Sequence, residues 1–320
     1  MKKQICIFLC MFLLFSALCA RAETVRGNLD ERFGNVPEVT WRDETYRLRS
    51  RLTTILVAGV DKRAETQTAP GEEHRSGGQA DFLVLLVVDD NRDTIGALQI
   101  NRDTMTEITV LNILGRVSGS RVAQICLAHS FGDGRERSCE LLADAVSKYL
   151  LDVPVDHYIA MNMDGIAALN DALGGVQVTL EDDFTAMDPA MKAGETLTLT
   201  GAQAEYFVRG RTGVGDQTNI SRLARQRVYM HAAAEVLMEK SAQSAGFVNG
   251  MYQAVEPYLV TDMSKGRLIN LANSISKYEI LPMTTIDGEA VVGSYGAMEF
   301  YPDEDSLTEA VVGLFFEPEN

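Results

Sequence analysis

The stretch LTTILVAGVD, residues 52–61, indicates the fold most directly. It is a run of apolar and β-branched residues that ends in an aspartate, which is typical of a buried strand followed by a loop. A polar, glycine-rich stretch at 65–79 precedes a second apolar run at 82–88. A short turn then leads to apolar residues at 95–100, and alternation continues at 105–111. Together these segments predict a β-sheet.

The hydrophobic period becomes helical after residue 138, where apolar side chains recur three and four residues apart. Short strand patterns and helical patterns then alternate along the chain. The strand patterns lie at 158–161 and 176–180, and the helical patterns at 163–173, 221–240, 246–255 and 264–274. Such alternation is typical of layered α/β proteins. We therefore predict a single α/β/α domain with a central mixed β-sheet over residues 51–280.

Composition excludes several classes of protein. The 320 residues are 46% hydrophobic and 23% charged, which is enough apolar material for a large core and argues against a disordered or collagen-like chain. The 45 acidic and 29 basic residues give a net charge of -16, the wrong sign for non-specific nucleic-acid binding. With four histidines and no Cys-x-x-Cys pair, a structural zinc site is not expected.

The segments that flank this domain predict an exported protein. Lys2 and Lys3 precede an apolar run at 5–20 that closes with Ala-Arg-Ala, so residues 1–22 resemble a signal peptide or a retained signal anchor. We expect a spacer at 23–50 and an acidic C-terminal tail at 281–320. Cys126 and Cys139 lie in the folded part, and the sequence leaves open whether they form a disulfide or remain reduced.

Basic side chains concentrate in one short window of this acidic chain. It contains five arginines and a single acid, Asp216; the arginines are Arg209, Arg211, Arg222, Arg225 and Arg227. The spacing of Arg222, Arg225 and Gln226 places their side chains on one face near the start of a helix. Guanidinium groups at a helix N-terminus suit a phosphate. The alternative is an ordinary solvated helix face.

Aspartates at the ends of the first two strands suggest a metal site. Asp61 follows one strand and Asp81 precedes the next, so both carboxylates would reach one edge if the strands are adjacent and nearly parallel. Carboxylate pairs at a hydrated site suit magnesium, although aspartate at a strand end is often only a turn former. Arg102 and Asp103 follow the third strand. Such a pair is either a structural salt bridge or a pair of catalytic residues.

These motifs, taken in order, resemble the LytR-CpsA-Psr family. The resemblance covers roughly residues 52–240. It rests on GVDKR (59–63), Asp81 before an apolar strand, INRDT (100–104), VDHY (155–158), NMDG (162–165), DALGGV (171–176), LTGAQA (199–204), VRGR (208–211) and RLARQ (222–226). Members of the family are exported, membrane-anchored phosphotransferases. They move a glycopolymer from a polyprenyl pyrophosphate carrier onto a peptidoglycan hydroxyl with magnesium, which implies a location at the outer face of the bacterial cytoplasmic membrane or in the cell wall.

The resemblance also implies roles for individual residues. Asp61 and Asp81 would hold Mg²⁺, and Asp103 would orient Arg102 or help to deprotonate the acceptor. Gln226 would complete the helix face. The arginines implied to face the pyrophosphate are Arg63, Arg102, Arg209, Arg211, Arg222 and Arg225. The expected catalytic set is Asp61, Arg102, Asp103, Arg211 and Arg222. An apolar pocket for the lipid tail is expected among residues 166–173 and 228–238.

Three departures from the family pattern leave alternatives open. Gln79 stands where the family has an arginine, and Arg75 is a possible replacement. Asn101 replaces a proline, and residues 124–129 lack polar groups of the family's Lys-Ile-Asn-His-Ala-Tyr segment. A polyprenyl pyrophosphate-binding protein without transfer activity, or a hydrolase that releases the glycan to water, therefore remains as an alternative to the transferase.

Overall fold

The computed structural model describes residues 38–62, 77–112, 114–244, 246–275 and 277–319. The predicted signal segment 1–22, most of the spacer, Arg63 and Arg75 lie outside these ranges. Within them, no helix is long and apolar enough to cross a membrane.

A mixed sheet forms the centre of the fold. Its strands, in spatial order, are β11 (Leu259–Thr261), β8 (His157–Asn162), β3 (Leu52–Val60), β4 (Ala80–Asp89), β5 (Thr94–Gln99) and, both paired with β5, β12 (Glu279–Ile280) and β13 (Thr284–Thr285). β3 runs parallel to β8 and antiparallel to β4, and β4 runs antiparallel to β5. The predicted central mixed sheet is confirmed.

Helices cover both faces of this sheet. They are α1 (Leu127–Ser130), α2 (Glu136–Tyr149), α3 (Asp164–Ala172), α4 (Gly201–Arg209), α5 (Asn219–Gln243), α6 (Phe247–Val255), α7 (Lys265–Ile275) and α8 (Glu304–Phe315), with a 3₁₀ turn at Glu256–Tyr258. Leu56 and Ala58 of β3 pack in one core with Leu142 and Val146 of α2. Ile55, on the opposite face of the strand, packs with Leu268 of α7. The structure therefore has the α/β/α layers expected from the sequence.

A second hydrophobic core lies among the helices and a small hairpin. It joins α3, α4 and α5 to a hairpin of β9 (Val176–Thr179) and β10 (Thr196–Leu199). Helix α3 ends where the sequence predicted, because Gly174 and Gly175 adopt positive φ angles of 79° and 92° that other residues rarely adopt. This core fixes α5 against α3, α4 and the hairpin.

The segment at 105–111 was expected to continue the main sheet, and this prediction is wrong. It forms β6 (Met105–Leu111), which pairs with β7 (Val117–Gln124) in a hairpin separate from the main sheet. The turn from Asn101 to Thr104 lies between β5 and β6 and redirects the chain. That turn carries Arg102 and Asp103.

The parts of the chain expected to be spacer and tail contribute to the fold where they are described. β1 (Glu38–Trp41), β2 (Glu44–Leu48) and β16 (Phe316–Pro318) form a three-stranded sheet. Helix α8 places Val311 and Phe315 in the main core, and β14 (Gly288–Val292) pairs with β15 (Met298–Pro302). Residues 281–320 are thus more than an acidic tail, because one face of α8 is apolar.

Cys126 and Cys139 are both buried and free. Burial raises the pKa of each thiol to about 12. Of the two possibilities left open by the sequence, the structure has the reduced core cysteines.

Candidate functional site

Asp61 and Asp81 lie at the same end of the central sheet. Asp61 follows β3 directly, and Asp81 is the second residue of β4. The two strands are antiparallel with Val60 opposite Ala80, and the Asp61 N–H donates to the carbonyl of Gln79 over 2.8 Å. The expectation that nearly parallel strands would bring the two carboxylates together is wrong. Antiparallel pairing places both residues at one edge of the sheet, because the end of one strand then meets the start of its neighbour.

Arg102 contacts Asp81 from the turn after β5. Its Nη1 donates to Asp81 Oδ1, and its Nη2 donates to Gln79 Oε1 over 2.5 Å. Its Nε lies 3.3 Å from Asp103 Oδ1. Gln79, which replaces an arginine of the family pattern, therefore adds no positive charge but holds the guanidinium of Arg102.

Arg222 reaches the same carboxylate from the first turn of α5. The helix begins at Asn219, and the preceding Thr218 hydroxyl accepts from the Ser221 N–H over 3.2 Å. Arg222 Nη1 donates to Asp81 Oδ2 over 3.3 Å, and its side chain is only 4% exposed. Burial lowers the pKa of Arg222 while Asp81 raises it, and a guanidinium remains charged through such a shift. Asp81 therefore lies between two guanidinium groups.

Asp103 is the buried carboxyl group of this cluster. Burial raises the pKa of Asp103, and the positive charges of Arg102, Arg222 and Arg211 oppose that shift. Asp103 Oδ2 accepts a hydrogen bond from Asn219 Nδ2 over 3.1 Å. A carboxyl group with a raised pKa is better suited than an ordinary one to accept a proton near neutral pH.

Arg209 and Arg211 extend the cluster toward solvent. Arg209 Nη2 lies 3.2 Å from Asp61 Oδ1, and its Nη1 donates to Glu205 Oε1 over 2.7 Å. Arg211 is exposed and forms no hydrogen bond or ion pair with the residues that the structure describes. Its positive charge nevertheless opposes the rise in the pKa of Asp103. Arg211 therefore contributes to the electrostatic potential at the site.

Arg225, which the resemblance implied to face the pyrophosphate, contacts Asp182 and the backbone around the end of α4. Its Nη1 donates to Asp182 Oδ2 over 2.7 Å, its Nε donates to the Phe207 carbonyl over 3.2 Å, and its Nη2 donates to the Gly210 carbonyl. The guanidinium also lies 5.5 Å from the ring centre of Phe184. Each guanidinium nitrogen of Arg225 thus has one acceptor, and the side chain secures the loop after α4.

The remaining polar residues of α5 contribute in different ways. Gln226 Nε2 donates to the Val208 carbonyl over 3.2 Å, whereas its buried Oε1 has no partner among the described residues. Arg227 Nη1 donates to Gln99 Oε1 over 2.6 Å. Gln226 therefore belongs to the site, and Arg227 ties the helix to β5.

An apolar cavity of about 320 Å³ opens beside the charged cluster. Asp61, Asp81, Arg209 and Gln226 lie on its wall. Its apolar lining comes from β3, β8, α3, α5 and α6 and includes Val57, Met161, Ile166, Leu169, Leu173, Tyr229, Met230, Ala233, Ala234, Leu237 and Met251. Most of the helical members fall in the two segments where the resemblance implied a pocket, 166–173 and 228–238.

The donor chemistry at the cluster fits a magnesium ion. Asp61 and Asp81 both face the cavity, whereas no group of three histidine, cysteine or acidic side chains suited to a metal occurs in the described part of the chain. Mg²⁺ is commonly held by one or two carboxylates together with substrate phosphates and water. Two aspartates beside a cluster of arginines match that requirement.

Asn219 is the site residue that sequence reasoning did not identify. It contacts both Arg222 and Asp103. The available signal was its spacing, since it lies three residues before Arg222 on the same helical face. An asparagine at the start of a helix is usually interpreted as a cap, which hid this role.

Comparison with known proteins gives one family. A sequence model of the LytR_cpsA_psr family matches residues 36–311. The chain is 33% identical over 190 residues to the polyisoprenyl-teichoic acid–peptidoglycan teichoic acid transferase TagU of Halalkalibacterium halodurans. That match covers 59% of this chain, and the chain spans about half, 53%, of the relative's length.

Solved structures share the fold. A Streptococcus agalactiae protein superimposes with a TM-score of 0.67 at 21% identity, covering 83% of this chain and 87% of the other. The structure of TagT bound to LI-WTA superimposes with a TM-score of 0.61 at 20% identity, covering 83% of this chain and 90% of the other. At these identities the similarity establishes the architecture alone.

Proposed function

Because this chain belongs to the LytR_cpsA_psr family, we propose that it is a phosphotransferase acting on cell-wall glycopolymers. Its substrates would be a glycopolymer linked to a polyprenyl pyrophosphate and a peptidoglycan hydroxyl. The name of its TagU relative, which describes teichoic acid transfer to peptidoglycan, supports this choice.

The position of the charged cluster beside the apolar cavity is the observation that carries the proposal. Arg102 and Arg222 converge on Asp81, and Asp81 itself lies on the cavity wall. Each guanidinium has five N–H donors, and the described residues accept two from each. A ligand with an anionic head and an apolar tail matches both halves of the site.

The chemistry requires one phosphorus–oxygen bond to form and another to break. The acceptor hydroxyl oxygen would bond to the phosphorus that carries the glycan, and polyprenyl phosphate would leave with the bridging oxygen. Asp103 would accept the hydroxyl proton, while Arg102, Arg211 and Arg222 would neutralise charge on the phosphate oxygens. Little covalent work is needed from the protein in such a reaction.

Asp61 and Asp81 would hold Mg²⁺. When bound, the ion would supply positive charge to the pyrophosphate oxygens. Asp81 would then retain its contacts with Arg102 and Arg222, and Asp61 would retain its contact with Arg209. These arginines fix the two carboxylates at the edge of the sheet.

The location that we propose is the outer face of the bacterial cytoplasmic membrane or the cell wall. The signal-like segment at residues 1–22 supports it. Both proposed substrates are external to the cytoplasm, and the lipid tail of the donor would associate the site with a membrane.

Purified full-length protein should be incubated with a labelled polyprenyl pyrophosphate glycan and a peptidoglycan oligomer, with and without Mg²⁺. We expect a glycan–peptidoglycan product with the wild type and none with Asp81→Asn. Arg116→Ala, which changes an exposed arginine outside the site, is the matched control and should retain the activity. Donor binding without product would indicate a binding protein, and free phosphorylated glycan as the only product would indicate a hydrolase.

A further inference from the structure

Asn219 bridges the two charged parts of the site. Its Oδ1 accepts from Arg222 Nη2 over 2.7 Å. Its Nδ2 donates to Asp103 Oδ2 over 3.1 Å and to Asn101 Oδ1 over 2.8 Å. One amide therefore contacts a cation, an anion and a neutral amide.

Helix capping does not explain this side chain. Thr218 is the N-cap of α5, and its hydroxyl accepts from the Ser221 N–H. Asn219 is the first residue inside the helix and is only 9% exposed. Its amide faces the loop after β5. In that loop, Asn101 Oδ1 also accepts from the Asp103 N–H over 3.0 Å. The side chain thus connects two elements that are distant in sequence.

An amide is the group that fits this position. Its carbonyl oxygen accepts from a guanidinium, while its N–H₂ group donates to a carboxylate. A carboxylate at the same place would satisfy Arg222 but would face Asp103 with a like charge. An apolar residue would leave Arg222 Nη2 and Asp103 Oδ2 without these partners, a costly arrangement in a buried site.

We propose that Asn219 is a positioning residue that holds Arg222 against Asp81 and keeps Asp103 directed toward the acceptor. The inference rests on the proposed transferase function, because Asp103 and Arg222 act there on acceptor and donor. The bridge sets the orientation of proton acceptor and phosphate-binding group together. Losing only the contact with Asp103 should therefore affect proton transfer from the acceptor more than it affects donor binding.

The variants Asn219→Asp and Asn219→Ala separate the contact with Arg222 from the contact with Asp103. Asn219→Asp keeps an oxygen that can accept from Arg222. We therefore expect the dissociation constant for geranyl pyrophosphate to remain within about threefold of the wild-type value. Turnover should fall roughly tenfold, because the donor to Asp103 is lost. Asn219→Ala loses both contacts, and we expect it to weaken geranyl pyrophosphate binding by roughly tenfold as well. Ile220→Ala changes the neighbouring exposed residue and should match the wild type.

A readout independent of activity is the titration of the Asp103 carboxyl carbon, followed by NMR and assigned with Asp103→Asn. The groups that face this carboxyl are Arg102, Cys126, Arg211, Asn219 and Arg222. Either substitution of Asn219 removes a donor to the ionised form, and the aspartate adds a like charge. We expect the pKa of Asp103 to rise by about one unit.

The outcomes distinguish the inference from the function on which it rests. If the wild type binds geranyl pyrophosphate but transfers no glycan in any condition, the proposed function is wrong, and binding and titration still test the bridge. An unchanged Asp103 titration in both variants, or equal losses of binding in both, would overturn the positioning role. Wild-type turnover in Asn219→Asp would overturn it too.

Discussion

Arg222, in the first turn of α5, donates from Nη1 to Asp81 Oδ2 at the start of β4 over 3.3 Å. The two residues are 141 positions apart in sequence. Asp81 also accepts from Arg102, so one carboxylate joins α5 and the turn after β5 at the edge of the sheet. This arrangement places two guanidinium groups beside the apolar cavity and supports the following predictions.

Arg211→Ala should weaken donor binding without changing stability. Arg211 is exposed and has no ion-pair partner among the described residues, and solvated arginines contribute little to the free energy of unfolding. We expect the dissociation constant for a polyprenyl pyrophosphate to rise roughly tenfold, measured by calorimetry, with the melting temperature unchanged. A fall in melting temperature with unchanged affinity would contradict a binding role.

Arg222→Ala should reduce both donor binding and stability. The solvated-arginine argument does not apply here, because the side chain is 4% exposed and satisfies Asp81 and Asn219. Truncation would leave these partners incompletely satisfied, at a cost of about 2 kcal/mol in the free energy of unfolding. Denaturant unfolding measures that loss. A variant as stable as the wild type would show that the buried contacts contribute little.

Asp103→Asn should abolish transfer and yet stabilise the protein at neutral pH. Burial raises the pKa of Asp103 in the folded state, so folding favours the protonated form. The stabilising contribution is complete below the unfolded pKa and is lost as pH rises through the folded pKa. Melting temperatures should therefore favour the variant at pH 7, with a difference that shrinks toward pH 4. A less stable variant at pH 7 would contradict the raised pKa.

Ala234→Phe should discriminate between donors by tail length. Ala234 lines the cavity, and a phenyl group there would fill part of the volume that we assign to the lipid tail. We expect a larger loss of affinity for an undecaprenyl donor than for a geranyl one, measured in the same buffer. Ala242→Phe, on an exposed part of the same helix, is the control. Equal losses for both donors would place the tail elsewhere.

Local hydrophobic periodicity predicted the sheet and the helix pattern, whereas the two pocket-lining segments were expected from the resemblance to the family. It did not predict the antiparallel pairing that brings Asp61 to Asp81, since pairing depends on contacts between distant segments. The sequence did not predict the apolar face of α8, because the acidic composition of residues 281–320 as a whole obscured its apolar positions. Arg222 and Arg225 have the same residue type and neighbouring helical positions, and only their partners, Asp81 and Asp182, distinguish them.

Arg225→Ala should therefore behave as a folding variant, in contrast to Arg211→Ala. The Arg225 guanidinium holds Asp182 and the carbonyls of Phe207 and Gly210, and its removal leaves two buried carbonyls and a half-buried carboxylate without this donor. We expect a loss of about 3 kcal/mol in the free energy of unfolding, with donor affinity per folded molecule close to that of the wild type. Arg225→Lys should recover little of the stability, because an ammonium cannot reproduce the planar fork. If Arg225→Ala kept its stability but lost donor binding, Arg225 would belong to the pyrophosphate site after all.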